Sequence, residues 1–200
     1  MKKSLLAVLA LPLVLSITIF SKAVVASPAL QDNPPAGALS QKSFDRIVKE
    51  VRHELVMLPY YGVFDNLSYQ VAPDGTVTLL GQVARPTLKS DAENAVKRIE
   101  GVEKVVNNIE VLPTSMNDDR IRRAAYRAIY RNNALSEYQW RAVPPIHIIV
   151  NNGHITLEGV VARRMDKQIA GIQANSVPGA FSVTNNLVVE EPEKKEDKKK

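Results

Sequence analysis

The sequence contains no cysteine, and this absence excludes several chemistries at once. A chain without cysteine has no disulfide framework, no thiolate metal site and no cysteine nucleophile. It also lacks the acylated cysteine that anchors a processed bacterial lipoprotein. If the protein is tethered to a membrane, an uncleaved N-terminal segment or a bound partner must hold it there.

Histidine is scarce, and the sequence carries no recognisable catalytic motif. It has no nucleophile elbow, phosphate loop or HExxH sequence. His147 and His154 are expected on the surface of one hairpin, roughly 13 Å apart, which is too far for a single metal ion. His53 lies on a predicted helix with no ligand pattern around it. We therefore predict a non-catalytic protein that binds no metal, cofactor or small-molecule substrate.

A long apolar run occurs only at the N-terminus, where it has the form of an export signal. Two lysines precede a nearly uninterrupted apolar run, Leu5 to Phe20, and small residues end the segment at Ala26. This order is typical of a cleaved signal peptide over residues 1–26. The alternative is an uncleaved inner-membrane anchor, although the run is shorter than the roughly 20 residues that span a bilayer. The sequence therefore predicts a periplasmic protein.

Excess charge of one sign is also absent once the signal is removed. The full chain has a formal net charge of +5, and the signal contains three lysines and no acid. The remaining chain has 23 basic and 21 acidic residues, a net charge of +2. So small a charge does not suit a protein that binds nucleic acid as a polyanion.

Two segments without a periodic apolar pattern flank the remaining chain. Residues 27–41 are rich in proline, alanine and glycine, which is typical of a linker. Residues 190–200 consist of five acids, five lysines and one proline. A segment with no apolar side chain to bury is predicted to be a disordered charged tail.

The residues between these segments contain an internal repeat. Residues 74–83 (DGTVTLLGQV) match residues 152–161 (NGHITLEGVV) at a constant offset of 78. The same offset continues without a gap over some 38 positions, pairing Arg85 with Arg163, Gly101 with Gly179, Val105 with Val183, Asn107 with Asn185, Asn108 with Asn186 and Val111 with Val189. Such a match indicates two tandem modules, over residues 42–112 and 117–189.

Each module has the same predicted order of elements, α-β-β-α-β. In the first module the periodicity predicts a helix over 44–55, strands over 67–71 and 76–79, a helix from Pro86 to Gly101 and a strand over 102–112. The second module repeats this order and ends with a strand over 181–189. Ser43 and Asn117 are expected to cap the first helices. The pattern predicts an α+β fold in which each module is a three-stranded sheet with two helices on one face.

Four glycines are expected to form turns and bulges, since glycine adopts backbone angles that other residues avoid. They are Gly75, Gly81, Gly153 and Gly159. Gly75 completes a three-residue hairpin loop after Pro73, whereas Asn152-Gly153 forms a two-residue turn. The extra residue near Pro73 therefore shifts the register of the first hairpin relative to the second.

The repeated motifs resemble the BON domain, named after bacterial osmotically inducible and nodulation proteins. The first motif, Asp/Asn-Gly-x-Val/Ile-Thr-Leu-x-Gly-x-Val, stands at 74–83 and 152–161, and Gly-Val-x-x-Val-x-Asn-x-Ile stands at 101–109 and, more loosely, at 179–187. The resemblance implies an αββαβ fold, a secreted or periplasmic setting, a link to osmotic stress, and attachment to envelope surfaces or phospholipid. It does not imply catalysis, and it carries no ligand-binding residue over to this chain.

The second module is the more basic one, with a net charge of +4 against −1 for the first. Four arginines recur along its first predicted helix at spacings that align them on one face, namely Arg120, Arg123, Arg127 and Arg131. Tyr130 and Trp140 add side chains that favour an interface. This stripe suits an anionic lipid surface. It also suits an acidic partner protein or nucleic acid, or it is a solvated helix face.

A second cluster of interest is the aromatic segment Tyr60-Tyr61-Gly62-Val63-Phe64, which lies between the first helix and the first strand. Exposed aromatic residues at such a position could contact a partner or a membrane. The favoured interpretation is that they close the end of a core, since large apolar side chains are mostly buried.

Together these patterns predict a non-catalytic, periplasmic, envelope-associated binding protein. We expect its second module to attach to anionic phospholipid and its first module to serve mainly as a scaffold. The alternative is a periplasmic protein–protein adaptor or stress-linked chaperone. Such a protein would dock envelope proteins on the edges and polar faces of its sheets.

Overall fold

The computed structural model describes residues 39–141 and 143–190. The predicted signal peptide, the linker up to residue 38 and the tail after residue 190 lie outside these described residues. The first module contains α1 (Gln41–Val56), β1 (Asn66–Val71), β2 (Thr76–Val83), α2 (Pro86–Lys97), β3 (Lys104–Asn107) and β4 (Glu110–Val111). The second contains α3 (Met116–Tyr130), a 3₁₀ helix (Ser136–Trp140), β5 (Ile146–Asn151), β6 (His154–Val161), α4 (Arg164–Asn175), β7 (Ser182–Asn185) and β8 (Val188–Val189). None of the helices in these residues is long and apolar enough to cross a bilayer.

The predicted α+β fold is confirmed in both modules. β1 pairs antiparallel with β2, and β3 and β4 both run parallel to β2 on its other side. The second module repeats this topology around β6. The apolar side chains of β2 (Val77, Leu79 and Val83) share one face and pack against the buried sides of α1 and α2. Each module is therefore a sheet with both helices on the same face.

The last strand of each module is split in two. After β3, the side chain of Asn107 accepts the N–H of Ile109 and donates to the backbone oxygen of Lys89 on α2. Asn185 makes the equivalent two bonds in the second module. Because this side chain bonds the local backbone, strand pairing stops and resumes after a gap of two residues. The predicted continuous strands over 102–112 and 181–189 are wrong in this respect, and the repeated asparagine marks the interruption.

The first helix of each module begins earlier than its apolar stripe. The hydroxyl of Ser40 accepts the N–H of Ser43, and the hydroxyl of Ser115 accepts the N–H of Asp118. Ser40 and Ser115 are therefore the N-caps. The expected caps, Ser43 and Asn117, are wrong because both residues already lie inside the first turn.

The two modules differ in length between the first helix and the first strand. The fully buried residues of α1 (Ile47, Val51 and Leu55) match those of α3 (Ile121, Ala125 and Ile129) at an offset of 74. The strands that follow match at an offset of 79, since Leu67 lies opposite Gly81 and Ile146 opposite Gly159. The second module thus has five additional residues here, in the segment that forms the 3₁₀ helix.

The four repeated glycines fall into two kinds. Gly75 and Gly153 lie in the hairpin turns with φ of 81°. Gly81 and Gly159 lie inside β2 and β6 rather than in turns, with φ of 112° and 115°. A Cβ atom on Gly159 would lie 2.0 Å from the carbonyl oxygen of Pro145, and a Cβ atom on Gly81 would lie 2.0 Å from the carbonyl oxygen of Asn66. Glycine is therefore required at both strand positions, because the backbone at the start of the paired strand comes too close for a Cβ atom.

Candidate functional site

The four arginines of the predicted stripe are all exposed on or at the end of α3. Arg120 donates to the side chain of Asn117 at 2.9 Å. Within the part of the chain that the structure describes, none of Arg120, Arg123, Arg127 and Arg131 forms an ion pair. On α1, in contrast, Arg46 pairs with two glutamates. The stripe therefore presents positive charge that no described carboxylate offsets.

Two other side chains of α3, Arg122 and Tyr130, point inward and donate hydrogen bonds to the outer edge of β5. Tyr130 is buried, and its hydroxyl donates to the carbonyl oxygen of Ile146 at 2.6 Å. The expectation that Tyr130 belongs to the binding surface is therefore wrong. Arg122 is also buried, and it donates to the carbonyl oxygen of Val150 at 2.7 Å and to the carboxylate of Asp119 at 2.6 Å. Both side chains serve the packing of the strand edge.

The aromatic segment at residues 60–64 joins the two modules. Tyr61 packs against the core of the first module, whereas Val63 and Phe64 pack against the core of the second. The carbonyl oxygen of Val63 accepts the N–H of Ile148 at 2.7 Å. The first module thus supplies a main-chain partner to the outer edge of β5. These three side chains are partly buried against a core, as the favoured interpretation expects, but the cores belong to two different modules.

Two arginines of the stripe border an apolar groove at this junction. Val63 and Phe64 line it together with Arg123, Tyr126 and Arg127 of α3, and its volume is about 370 Å³. The ring of Phe64 meets the ring of Tyr126 edge-on, with centroids 6.2 Å apart. We name these five residues the junction groove. Both modules line this groove, so a ligand bound there would contact the first module as well as the second.

A second cleft of about 320 Å³ shares Phe64 and Arg123 with the junction groove. Arg85 of the first module also lines it, and its guanidinium lies 4.9 Å from the ring centre of Tyr60. Tyr60 is 73% exposed, so the interpretation that this segment closes a core is wrong for Tyr60. Sequence reasoning did not single out Arg85 as a site residue. It lines the same cleft as Arg123 only because of how the modules pack, and a periodic pattern in the sequence does not reveal that packing.

His147 is buried at the junction, so its predicted surface position is wrong. It is only 8% exposed, and its ring stacks on that of Tyr61 with centroids 5.6 Å apart. Its Nδ1 atom has no hydrogen-bond partner among the described residues. Burial lowers the pKa of the imidazole, and the backbone carbonyls of Asp65 and Gly62, followed by the Asp65 carboxylate, oppose this effect. His154 is exposed as predicted, bonded to the hydroxyl of Ser182.

Trp140 is 84% exposed at the end of the 3₁₀ helix. Its neighbour Gln139 donates to the hydroxyl of Tyr126 at 3.2 Å. Earlier in the same turn, the hydroxyl of Tyr138 donates to the carboxylate of Asp166 on α4 at 2.6 Å. Hydrogen bonds thus link the 3₁₀ helix, which ends at Trp140, to both helices of the module.

Comparisons with solved structures find low similarity. One match is CdsD, a structural protein of the type III secretion system of Chlamydia trachomatis, at 11% identity and a TM-score of 0.31, covering 74% of this chain and 94% of that one. The C-terminal domain of CdsD matches at 12% identity and a TM-score of 0.26, covering 72% and 98%. Such scores support no inference about function or assembly. A search of curated proteins finds no match.

The family comparison is decisive because it matches both modules. The BON domain model matches residues 45–113 and 117–191, which is most of the chain. Each matched segment contains one complete sheet, the second helix and all but the first residues of the first helix. The chain therefore belongs to the BON domain family and carries two BON domains in tandem.

Proposed function

We propose that this protein attaches to anionic phospholipid at the periplasmic side of the cell envelope. Membership of the BON family supports an envelope-associated binding role in general, and BON domains are generally non-catalytic. The observation that carries the finer proposal is the junction groove, where two arginines border apolar and aromatic side chains. Those arginines have no acidic partner among the described residues.

The chemistry of the groove matches the headgroup region of a bilayer. Arg123 and Arg127 are one helical turn apart, so both guanidinium groups lie on the same side of α3. Guanidinium donates paired hydrogen bonds to phosphate oxygens. The rings of Phe64 and Tyr126 offer apolar surface for the glycerol and upper acyl carbons. A free phosphate would use only the first of these two features, whereas a phospholipid uses both.

The remainder of the stripe extends the cationic surface along α3. A basic residue near an anionic membrane contributes about 1 kcal/mol of attraction. Four arginines therefore contribute about 4 kcal/mol, or roughly a thousandfold in binding. Trp140 is exposed nearby, and tryptophan favours the membrane–water interface because it combines an apolar ring with one N–H donor.

Co-sedimentation with phosphatidylglycerol vesicles tests the proposal. We expect the protein to bind these vesicles and to lose binding as the salt concentration is raised. We expect it not to bind phosphatidylcholine vesicles. The variant Arg123→Glu/Arg127→Glu/Arg131→Glu should lose nearly all binding. All three side chains are exposed, so its unfolding curve should match that of the unmodified protein.

The matched control changes the same number of charges on the equivalent helix of the first module. Lys42→Glu/Lys49→Glu/Arg52→Glu alters three exposed basic residues of α1 and should retain most of the binding. Equal loss in both variants would mean that net charge alone drives binding, against the proposed site. Failure of the unmodified protein to bind any vesicle would contradict lipid binding and favour the adaptor alternative.

A further inference from the structure

The cleft shared by Arg85 and Arg123 collects basic side chains from parts of the chain that lie far apart in the sequence. Arg85 lies between β2 and α2, and Thr114 lies in the connection between the modules. Arg122 and Arg123 lie on α3, and the ring of Phe64 also lines the cleft. We call the cleft lined by these five residues the arginine cleft. Its volume of about 320 Å³ is at the lower end of the range typical of small-molecule sites.

Arg85 lacks the ion pairs that its counterpart in the second module makes. At the offset of 78 that counterpart is Arg163, whose guanidinium pairs with Glu137 and Asp166, each at 3.0 Å. In the first module Leu88 stands at the position of Asp166. The 3₁₀ helix that carries Glu137 has no counterpart among the described residues of the first module. Arg85 accordingly forms no ion pair within residues 39–141 and 143–190.

The neighbours of Arg85 leave its guanidinium able to bind a further acceptor. Its charge favours the ionised form of Asp65. That carboxylate, however, accepts the backbone N–H groups of Gly62 at 3.2 Å and Ala84 at 2.8 Å. The Arg85 guanidinium lies 4.9 Å from the ring centre of Tyr60. A cation–π contact uses the ring face and leaves the N–H donors of the guanidinium for another partner.

The buried end of the arginine cleft is also a guanidinium. Arg122 is 5% exposed, and its Nη1 and Nη2 atoms donate to Asp119 and to the carbonyl oxygen of Val150. Its Nε atom has no hydrogen-bond partner in the part of the chain that the structure describes. A buried donor without an acceptor is unfavourable. Asp119 offsets the charge of Arg122, so the cleft retains the uncompensated charges of Arg85 and Arg123.

We propose that the arginine cleft binds a phosphate monoester of about the size of glycerol phosphate. Guanidinium groups from both modules line the cleft, and a phosphate presents oxygen acceptors in several directions, whereas a carboxylate presents two in one plane. A monoester carries a charge of about −1.5 to −2 at pH 7, which matches the uncompensated guanidinium groups of Arg85 and Arg123. The hydroxyl of Thr114 adds a donor, and the ring of Phe64 offers apolar surface to the carbon atoms of the ester.

The same monoester group occurs in a free metabolite-sized ester and in the headgroup of phosphatidate. The arginine cleft shares Phe64 and Arg123 with the junction groove, so a headgroup and a soluble ester present the same phosphate to it. The site goes beyond the vesicle binding proposed above and does not depend on it, because a soluble ester needs no membrane.

Isothermal titration calorimetry with glycerol 3-phosphate tests the site in the full-length protein. We expect saturable binding of one ester per chain and no binding of glycerol. Arg85→Gln/Arg123→Gln removes both uncompensated charges and should weaken binding at least about tenfold. The matched control Arg52→Gln/Arg98→Gln changes two exposed arginines outside the cleft and should bind as the unmodified protein does.

Nuclear magnetic resonance locates the bound ester, and vesicles identify its source. The backbone amide signals of Ala84, Thr114 and Arg122 should shift along one titration curve, although these residues are remote in sequence. Co-sedimentation with phosphatidate vesicles that glycerol 3-phosphate competes away would assign a lipid headgroup to the arginine cleft. Binding of the soluble ester without binding of these vesicles would assign the free ester.

Three results would overturn the site. The first is a protein that binds neither glycerol 3-phosphate nor phosphatidate vesicles; if it still binds phosphatidylglycerol vesicles, the proposed function stands without this site. The second is an equal loss of binding in both double variants, which would show that net charge alone attracts the ester. The third is unchanged ester binding in Arg85→Gln alone, since Arg85 belongs to the cleft and lies outside the arginine stripe.

Discussion

The two BON domains of this chain repeat one fold, and they differ most at the outer edge of the first strand. In the second domain a buried arginine, a buried tyrosine and a segment of the first domain occupy that edge. In the first domain valines stand at the positions equivalent to Arg122 and Tyr130. The core-facing residues of the two strands differ accordingly in burial. Two helix positions and the docked segment at Val63 therefore close the edge of β5, and the first domain has no counterpart of the two helix side chains.

Directly after its second strand, each domain satisfies the same backbone N–H with a side chain. The backbone N–H of Ala84 donates to the carboxylate of Asp65, and the equivalent N–H of Ala162 donates to the hydroxyl of Tyr138. Equivalent backbone N–H groups in the two domains therefore donate to two different kinds of side chain. The longer connection of the second domain supplies its tyrosine from the 3₁₀ helix, and the same insertion presents Trp140.

The largest predicted effect concerns the strand glycines Gly81 and Gly159, which the two domains share. Gly159→Ala should destabilise the second domain by at least about 3 kcal/mol, because the added Cβ meets the Pro145 carbonyl oxygen and φ is positive. Gly81→Ala should cost the first domain a similar amount. Urea unfolding followed by circular dichroism measures both. Gly62→Ala is the control, since a Cβ there has no close neighbour. Unequal losses at Gly81 and Gly159 would contradict the equivalence of the two strands.

The next effect tests the difference between the edges. Arg122→Ala should destabilise the protein by about 2–3 kcal/mol, because it leaves the buried carbonyl of Val150 without its donor. Val48→Ala, at the equivalent position of α1, should cost about 1 kcal/mol, since that side chain is only half-buried. Chemical denaturation compares the two variants. A loss at Val48 that equals the loss at Arg122 would mean that both helices secure their strands alike.

The smallest effect concerns the domain junction and depends on pH. Burial lowers the pKa of His147 below its ordinary value of 6.5, so the unfolded chain binds a proton more readily than the folded one. Stability contributed by the neutral imidazole is present above pH 6.5 and is lost as the pH falls from there through the folded-state pKa. The free energy of unfolding should fall by up to about 1.4 kcal/mol per pH unit in this window.

Two histidine variants separate this contribution from other titrating groups. His147→Gln should remove the fall in stability below pH 6.5, because it leaves no imidazole to protonate at the junction. His154→Gln changes an exposed histidine and should leave that fall unchanged. Thermal unfolding between pH 7 and mildly acidic pH measures both. An unaltered fall in His147→Gln would show that a different group controls stability in this range.

Much of the fold was predictable because local signals agree with one another. The strand alternation, the repeated glycines and the offset of 78 predicted two α+β modules in the observed order. The split of the last strand was missed because it depends on Asn107 reaching α2. The exposure of the arginines follows from helical periodicity. The burial of Tyr130 does not, because its hydroxyl bonds a carbonyl on a strand that only the folded sheet brings near.

The sequence by itself determined the domain architecture, since each BON repeat carries its own turns, glycines and apolar spacing. Only the tertiary structure decided how the repeats meet. Val63 and Phe64 look like local core residues in the sequence, yet they pack against the core of the other domain and line the junction groove. His147 is buried for the same reason, because Tyr61 covers it. Contacts between domains leave no periodic signal along the chain, since each depends on a rigid-body placement and not on local spacing.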